Sequence, residues 1–147
     1  MLRILLCGFL ILAAGCSPKP VPKTDVAVEL PPDHADRFPD AGLVKMDRVA
    51  NHLLGKPFMP GGNLATYKKG YQQFLGKMPD AQQAAFLLLD WQKALKDAKY
   101  LPHMGGYFGT DSGRPVYVFT KSAWVAGIAG LPEAEADTIA REFAARL

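Results

Sequence analysis

Cysteine is scarce in this 147-residue chain: there are two, too few for a disulfide framework. Neither sign of charge dominates, since 17 Lys and Arg stand against 14 Asp and Glu, a formal net of +3. A nucleic-acid binder clusters Lys and Arg on a strongly basic domain, so nucleic acid is not an expected partner. No apolar run is long enough to span a bilayer, and no internal repeat or coiled-coil heptad appears. Gly61-Gly62 lacks the Gly-Lys-Ser/Thr ending of a phosphate loop. What remains is 49% hydrophobic and 21% charged, which excludes a wholly disordered chain. The length suits one domain.

The chain divides into three unlike segments. Residues 1–15 carry one charge, Arg3, then an apolar run over 4–12 broken only by Gly8, then small residues. That is the three-part layout of a secretory signal, too short for a membrane span. Ser17-Pro18-Lys19-Pro20 stops it abruptly, which argues against a core helix. Residues 16–39 hold six of the twelve prolines, Pro18, Pro20, Pro22, Pro31, Pro32 and Pro39. Proline favours extended polyproline geometry, so this stretch reads as a semi-rigid tether reaching at most about 70 Å at ~3.1 Å per residue. Val26, Val28 and Leu30 alternate with Ala27 and Glu29, so a short strand docking on the domain is an open alternative. Asp33-His34-Ala35-Asp36 supplies ligand-type side chains but no second cluster, and reads as a solvated acidic linker.

The ending Leu12-Ala13-Ala14-Gly15-Cys16 resembles a bacterial lipobox, the processing site of bacterial lipoproteins. The resemblance covers residues 1–17; it departs from the usual pattern in having Ala13 three residues before the cysteine and Leu12 one step earlier. It implies cleavage before Cys16, a diacylglycerol thioether on its sulfur and acylation of the new amino group. Several chains, at ~0.8 kcal/mol per buried methylene, make an anchor that one chain would not. Ser17 in place of Asp after the cysteine implies sorting to the outer membrane, facing the periplasm. On that reading Cys7 leaves with the signal, and the mature chain has no free thiol for a disulfide, a nucleophile or a zinc site. The covalent lipid is the only non-protein group expected. The mature side chains carry 16 basic and 14 acidic groups, an acidic later tether meeting a basic start to the domain.

Residues 40–147 form the expected single domain, an α+β fold in which a small antiparallel sheet packs with about three helices. The first helix is expected over 41–54, where Leu43, Met46, Ala50, Leu53 and Leu54 follow helical spacing behind Asp40 as cap. Lys45, Arg48 and His52 would then share its outer face, a basic surface suited to an anionic envelope component or an acidic partner, or simply a solvated face. Residues 63–75 are ambiguous between a helix and a hairpin turning at Lys69-Gly70, and the mid-segment glycine favours the hairpin. The second helix is expected over 80–99, with Ala84, Leu87, Leu88, Trp91, Ala94, Leu95 and Ala98 on one broad face. Phe86 and Leu89 point the other way, and are covered by the fold or form a patch for a partner. Tyr107-Phe108 and residues 116–119 are expected to pair around the turn-rich 110–113, and 124–129 to form another strand. Pro132-Glu133 opens the last helix, with Ala136, Ile139, Ala140, Phe143 and Leu147 on its apolar face.

The chemistry on offer is thin. His103, beside Gly105-Gly106, is the best single candidate for a reactive group, with Asp111 and Arg114 as partners if the hairpin folds back. Ser112 lacks the Gly-x-Ser-x-Gly elbow, and Asp111-Ser112-Gly113 is what a turn requires. The sequence therefore points first to a non-enzymatic envelope lipoprotein that binds a protein or envelope component. The alternative is a small enzyme or ligand-binding module centred on the His103–Arg114 loop. The anchor is the most testable part. Cys16→Ala should abolish metabolic labelling by a fatty-acid probe and leave uncleaved precursor; unchanged labelling would refute lipidation at this site.

Overall fold

The computed structural model describes residues 15, 17–20 and 27–147. Cys16 and the apolar run of the signal lie outside the described residues, as do Val26 and the start of the expected docking strand. Residues 27–34 carry no regular secondary structure, and Val28 and Leu30 are exposed.

Among the described residues, seven strands make one antiparallel sheet. In chain order they are β1 (Leu43–Asn51), β2 (Pro60–Tyr67), β3 (Gln72–Lys77), β4 (Lys96–Leu101), β5 (Gly106–Asp111), β6 (Arg114–Lys121) and β7 (Trp124–Ala129). Helix α1 (Ala81–Ala94) joins β3 to β4, and α2 (Glu133–Ala144) follows β7. The spatial order is β1-β2-β3-β7-β6-β5-β4. Two meanders, β1–β3 and β4–β7, are therefore joined by α1 and closed by the pairing of β3 with β7, in register from Gln72–Ala129 to Lys77–Trp124.

Alternation along the central strands sends side chains to two cores. Phe74, Val116, Val118, Val125 and Ala129 pack with Leu87, Leu88 and Trp91 of α1. Leu75, Tyr117, Phe119, Ala126 and Ile128 pack with Ala136, Ala140 and Phe143 of α2. The helices thus cover opposite faces of the sheet, which is why every residue of β7 is buried. Residues at the end of the tether also join this fold. Asp33 accepts hydrogen bonds from the Ala35 N–H at 3.0 Å and from Asn63 Nδ2 at 2.9 Å, while the His34 N–H donates to Asn63 Oδ1 at 3.0 Å. Those bonds, with the Asn63 amide foremost, hold the Asp33 carboxyl below its ordinary pKa. Phe38 is buried against Phe143, with ring centroids 5.0 Å apart.

Two elements differ from expectation. The helix expected over 41–54 is the edge strand β1, so the domain has two α-helices where about three were expected. Its apolar residues mimic helical spacing because the two sheet faces are each half-covered: Met46 packs toward α2 and Val49 toward the α1 side. A register irregularity between Leu43 and Lys45 breaks the alternation further. Helix α1 begins as expected, with Asp80 Oδ1 accepting the Gln83 N–H at 2.8 Å. It stops at Ala94, however, because residues 96–101 are drawn into the sheet edge against β5. There Asp97, at φ +54°, accommodates a second irregularity. Charged residues on β1 and β4 protect both sheet edges from pairing with other chains.

The hairpin over 63–75 forms as expected, and Gly70 takes a φ of +85° in its turn. Gly127 serves a different need. A Cβ there would lie 2.5 Å from the Phe74 ring and 2.2 Å from the Tyr117 carbonyl oxygen. Gly127→Ala should therefore lower unfolding stability by about 2–3 kcal/mol in a urea titration. An unchanged midpoint and slope would contradict this packing.

Candidate functional site

His103 sits in the turn between β4 and β5, fixed by backbone bonds from Met104 and Gly105 to the Leu101 carbonyl. The residues that meet it are not those the sequence suggested. Asp137, on the sheet-facing side of α2, places Oδ1 2.5 Å from His103 Nε2. The same oxygen accepts a hydrogen bond from the Tyr117 hydroxyl at 2.6 Å. Its other oxygen accepts from Arg141 Nε at 2.8 Å, one helical turn along α2. Lys99 of β4 reaches Glu133 of α2 at 2.8 Å beside this group.

These contacts set the protonation states. His103, then Tyr117 and Arg141, stabilise the ionised Asp137 carboxylate and bring its pKa down to about 2. Burial pushes the Tyr117 hydroxyl up, and its bond to Asp137 reinforces the shift. At neutral pH the carboxylate is therefore charged and the phenol protonated. His103 remains partly open to solvent, with 42% of its side chain exposed. A His–Asp pair alone orients an imidazole; nucleophilic catalysis also needs a nucleophile within its reach. The nearest hydroxyl, Tyr117, is turned to the carboxylate and lies 3.5 Å from the imidazole. What the arrangement does is clamp α2 and the β4–β5 turn to the face of β6.

Asp111 and Arg114 belong elsewhere. They lie at the far end of β5 and the start of β6, a strand length from the His103 turn. Asp111 pairs with Lys56 at 2.5 Å, joining the β1–β2 connection to the β5–β6 hairpin. Arg114 donates to Gln72 Oε1 at 2.9 Å and to the Ala129 carbonyl at 3.1 Å, tying β6 to β3 and β7. The three residues grouped in the loop-centred reading thus serve separate contacts.

The basic group is likewise divided. Lys45 pairs with Asp47 at 2.9 Å on the α1 side of β1. Arg48, paired in register with Asn63, faces the α2 side, where its charge acts on Asp33. His52 lies beyond the strand, in left-handed backbone at φ +54°. By contrast Phe86 and Leu89 are on the surface of α1, 53% and 45% exposed. Among the described residues no group of three or more His, Cys, Asp or Glu has a metal-binding arrangement. None of the described helices is long and apolar enough to cross a membrane.

Tyr117, Asp137 and Arg141 escaped the sequence reading for identifiable reasons. Tyr117 looks like one more strand aromatic, and Asp137 is separated from His103 by 34 residues. The available signal was an acid beside Ala136 and Ala140 on the otherwise apolar side of α2, followed by Arg141 four residues on. Fold and geometry together define a two-faced α+β domain with a polar clamp on one helix. Comparison with protein-family models and with curated proteins gives no match to this chain.

The clamp has a pH signature. Because the folded-state pKa of Asp137 lies below its ordinary value, its contribution is fully present above about pH 4. It is lost as pH falls toward 2. Asp137→Asn should lower stability by about 1 kcal/mol at pH 7, the modest figure proper to a partly solvated pair. The gap from the parent should close between pH 4 and pH 2 in urea titrations; a gap constant across that range would contradict the charged clamp.

Proposed function

We propose that this is a lipid-anchored protein of the bacterial cell envelope whose domain binds another envelope protein through the outer face of α1. Cys16 carries the anchor, the Pro-rich tether spaces the domain from the membrane, and the outer membrane facing the periplasm is the expected site. The observation that carries the binding role is the exposure of Phe86 and Leu89, one turn apart. Exposed Gln82, Ala85 and Lys93 frame them along the same helix face. The helix does not need these two side chains for its own packing, because Ala84, Leu87, Leu88 and Trp91 already bury its inner face.

The other large apolar side chains exposed on the folded domain, Val44 and Tyr100, stand singly on the opposite edge strands β1 and β4. Single exposed apolar residues are ordinary, whereas an adjacent Phe–Leu pair on a rigid helix is the form an interaction anchor takes. Full burial of each side chain by a partner would contribute about 1.5–3 kcal/mol. The test is a photo-reactive residue at Ala85 in cells, with and without Phe86→Asp and Leu89→Asp. A discrete adduct should form at Ala85, be lost in the double variant, and be absent when the probe sits at Glu142 on α2. The double variant should keep its stability within about 0.5 kcal/mol. Adducts that persist in it, or none above background, would refute this surface.

A further inference from the structure

A cavity of about 300 Å³ opens on the other side of the sheet, between the β2–β3 hairpin and α2. Its buried wall is Tyr67, Tyr71 and Leu131, with half-buried Ile139 beside them, and its exposed rim carries Lys68, Lys69 and Glu135. The two tyrosine rings are stacked at 4.9 Å with only 9° between their planes. Tyr67 is held by its hydroxyl donating to the Pro39 carbonyl at 3.0 Å, so this wall is preformed. The hairpin turn fixes the rim as well: the Lys68 N–H donates to the Gly42 carbonyl at 2.9 Å and the Gly70 N–H to that of Tyr67 at 2.8 Å.

Rim charge gives the sign of the molecule the cavity suits. Two lysines outweigh one glutamate, and neither lysine is in an ion pair among the described residues.

We infer that the cavity bounded by Tyr67, Tyr71, Leu131 and Ile139 binds a small organic anion with an aromatic-sized apolar body. The rings and aliphatic side chains take the body, and Lys68 and Lys69 take the negative charge. A volume of this size admits one small molecule and excludes a folded polypeptide. The site is on the face of the sheet opposite α1, so it stands or falls independently of the protein contact proposed there.

The probe is anilinonaphthalene sulfonate, an aromatic anion, titrated by fluorescence into the folded domain beside its neutral counterpart phenylnaphthylamine. The anion should bind saturably at one site and at least tenfold more tightly than the neutral compound. Replacing Lys68 and Lys69 together by alanine should weaken anion binding about tenfold and leave the neutral compound unaffected. Phe86→Asp should change neither probe. Equal affinity for the two probes, insensitivity to the lysine pair, dependence on Phe86, or no saturable binding would each overturn the assignment.

Discussion

Everything in this domain depends on β3 and β7 lying side by side. They come from different meanders and are brought together only when the second meander has returned across α1. Once paired, they place Phe74 over Gly127 on one face and Leu75 beside Ala126 on the other. Neither face of that pair could be left to water, since β7 offers six consecutive buried residues. Two helices on opposite sides are the consequence: α1, which the chain inserts before the second meander, and α2, which it adds after it. Burial on both faces, with about 25 cal/mol for each square ångström of apolar surface removed from water, is what holds a domain without disulfides together.

The parts of this fold legible in the sequence were those where one physical signal stood alone. Strand β7 and the Val116–Phe119 run of β6 are continuously apolar, Lys69-Gly70 marks a tight turn, and α2 has a proline at its start and a clean apolar stripe. Strand β1 reads as a helix because an edge strand half-covered on both faces, with a break at Leu43–Lys45, yields spacings that imitate one. The overrun of α1 had the same origin: Leu95 is buried as a helix end and would be equally buried as helix interior. Periodicity is blind to that choice. It is decided by β5, which needs a partner along residues 106–111.

The candidate site was legible by half. His103 stands out as a titratable group in a glycine-flanked loop, and in the fold it is one member of a polar cluster centred on Asp137. Its partners were invisible because they arrive from α2 and β6, through contacts that exist only after the sheet has closed. Asp111 and Arg114 were attractive by proximity in sequence, yet β5 separates their end of the hairpin from the His103 turn. The fold uses each as a staple: Asp111 with Lys56, Arg114 with Gln72 and the Ala129 carbonyl. The Pro-rich segment likewise merges into the domain earlier than its prolines suggest, since Asp33, His34 and Phe38 already pack on the α2 side. The proposed protein contact and the proposed small-molecule cavity lie on opposite sides of one sheet, so neither blocks the other.

The dependence of the whole on the β3–β7 pair is tested most directly by hydrogen exchange, residue by residue, under native conditions. The amides of Phe74, Leu75, Val125 and Ala126 should exchange only through global unfolding, with the same denaturant dependence in both strands. Amides near the outer ends of β1 and β4 should exchange through smaller openings. Either meander keeping its protection after β3 and β7 have exchanged would contradict the account.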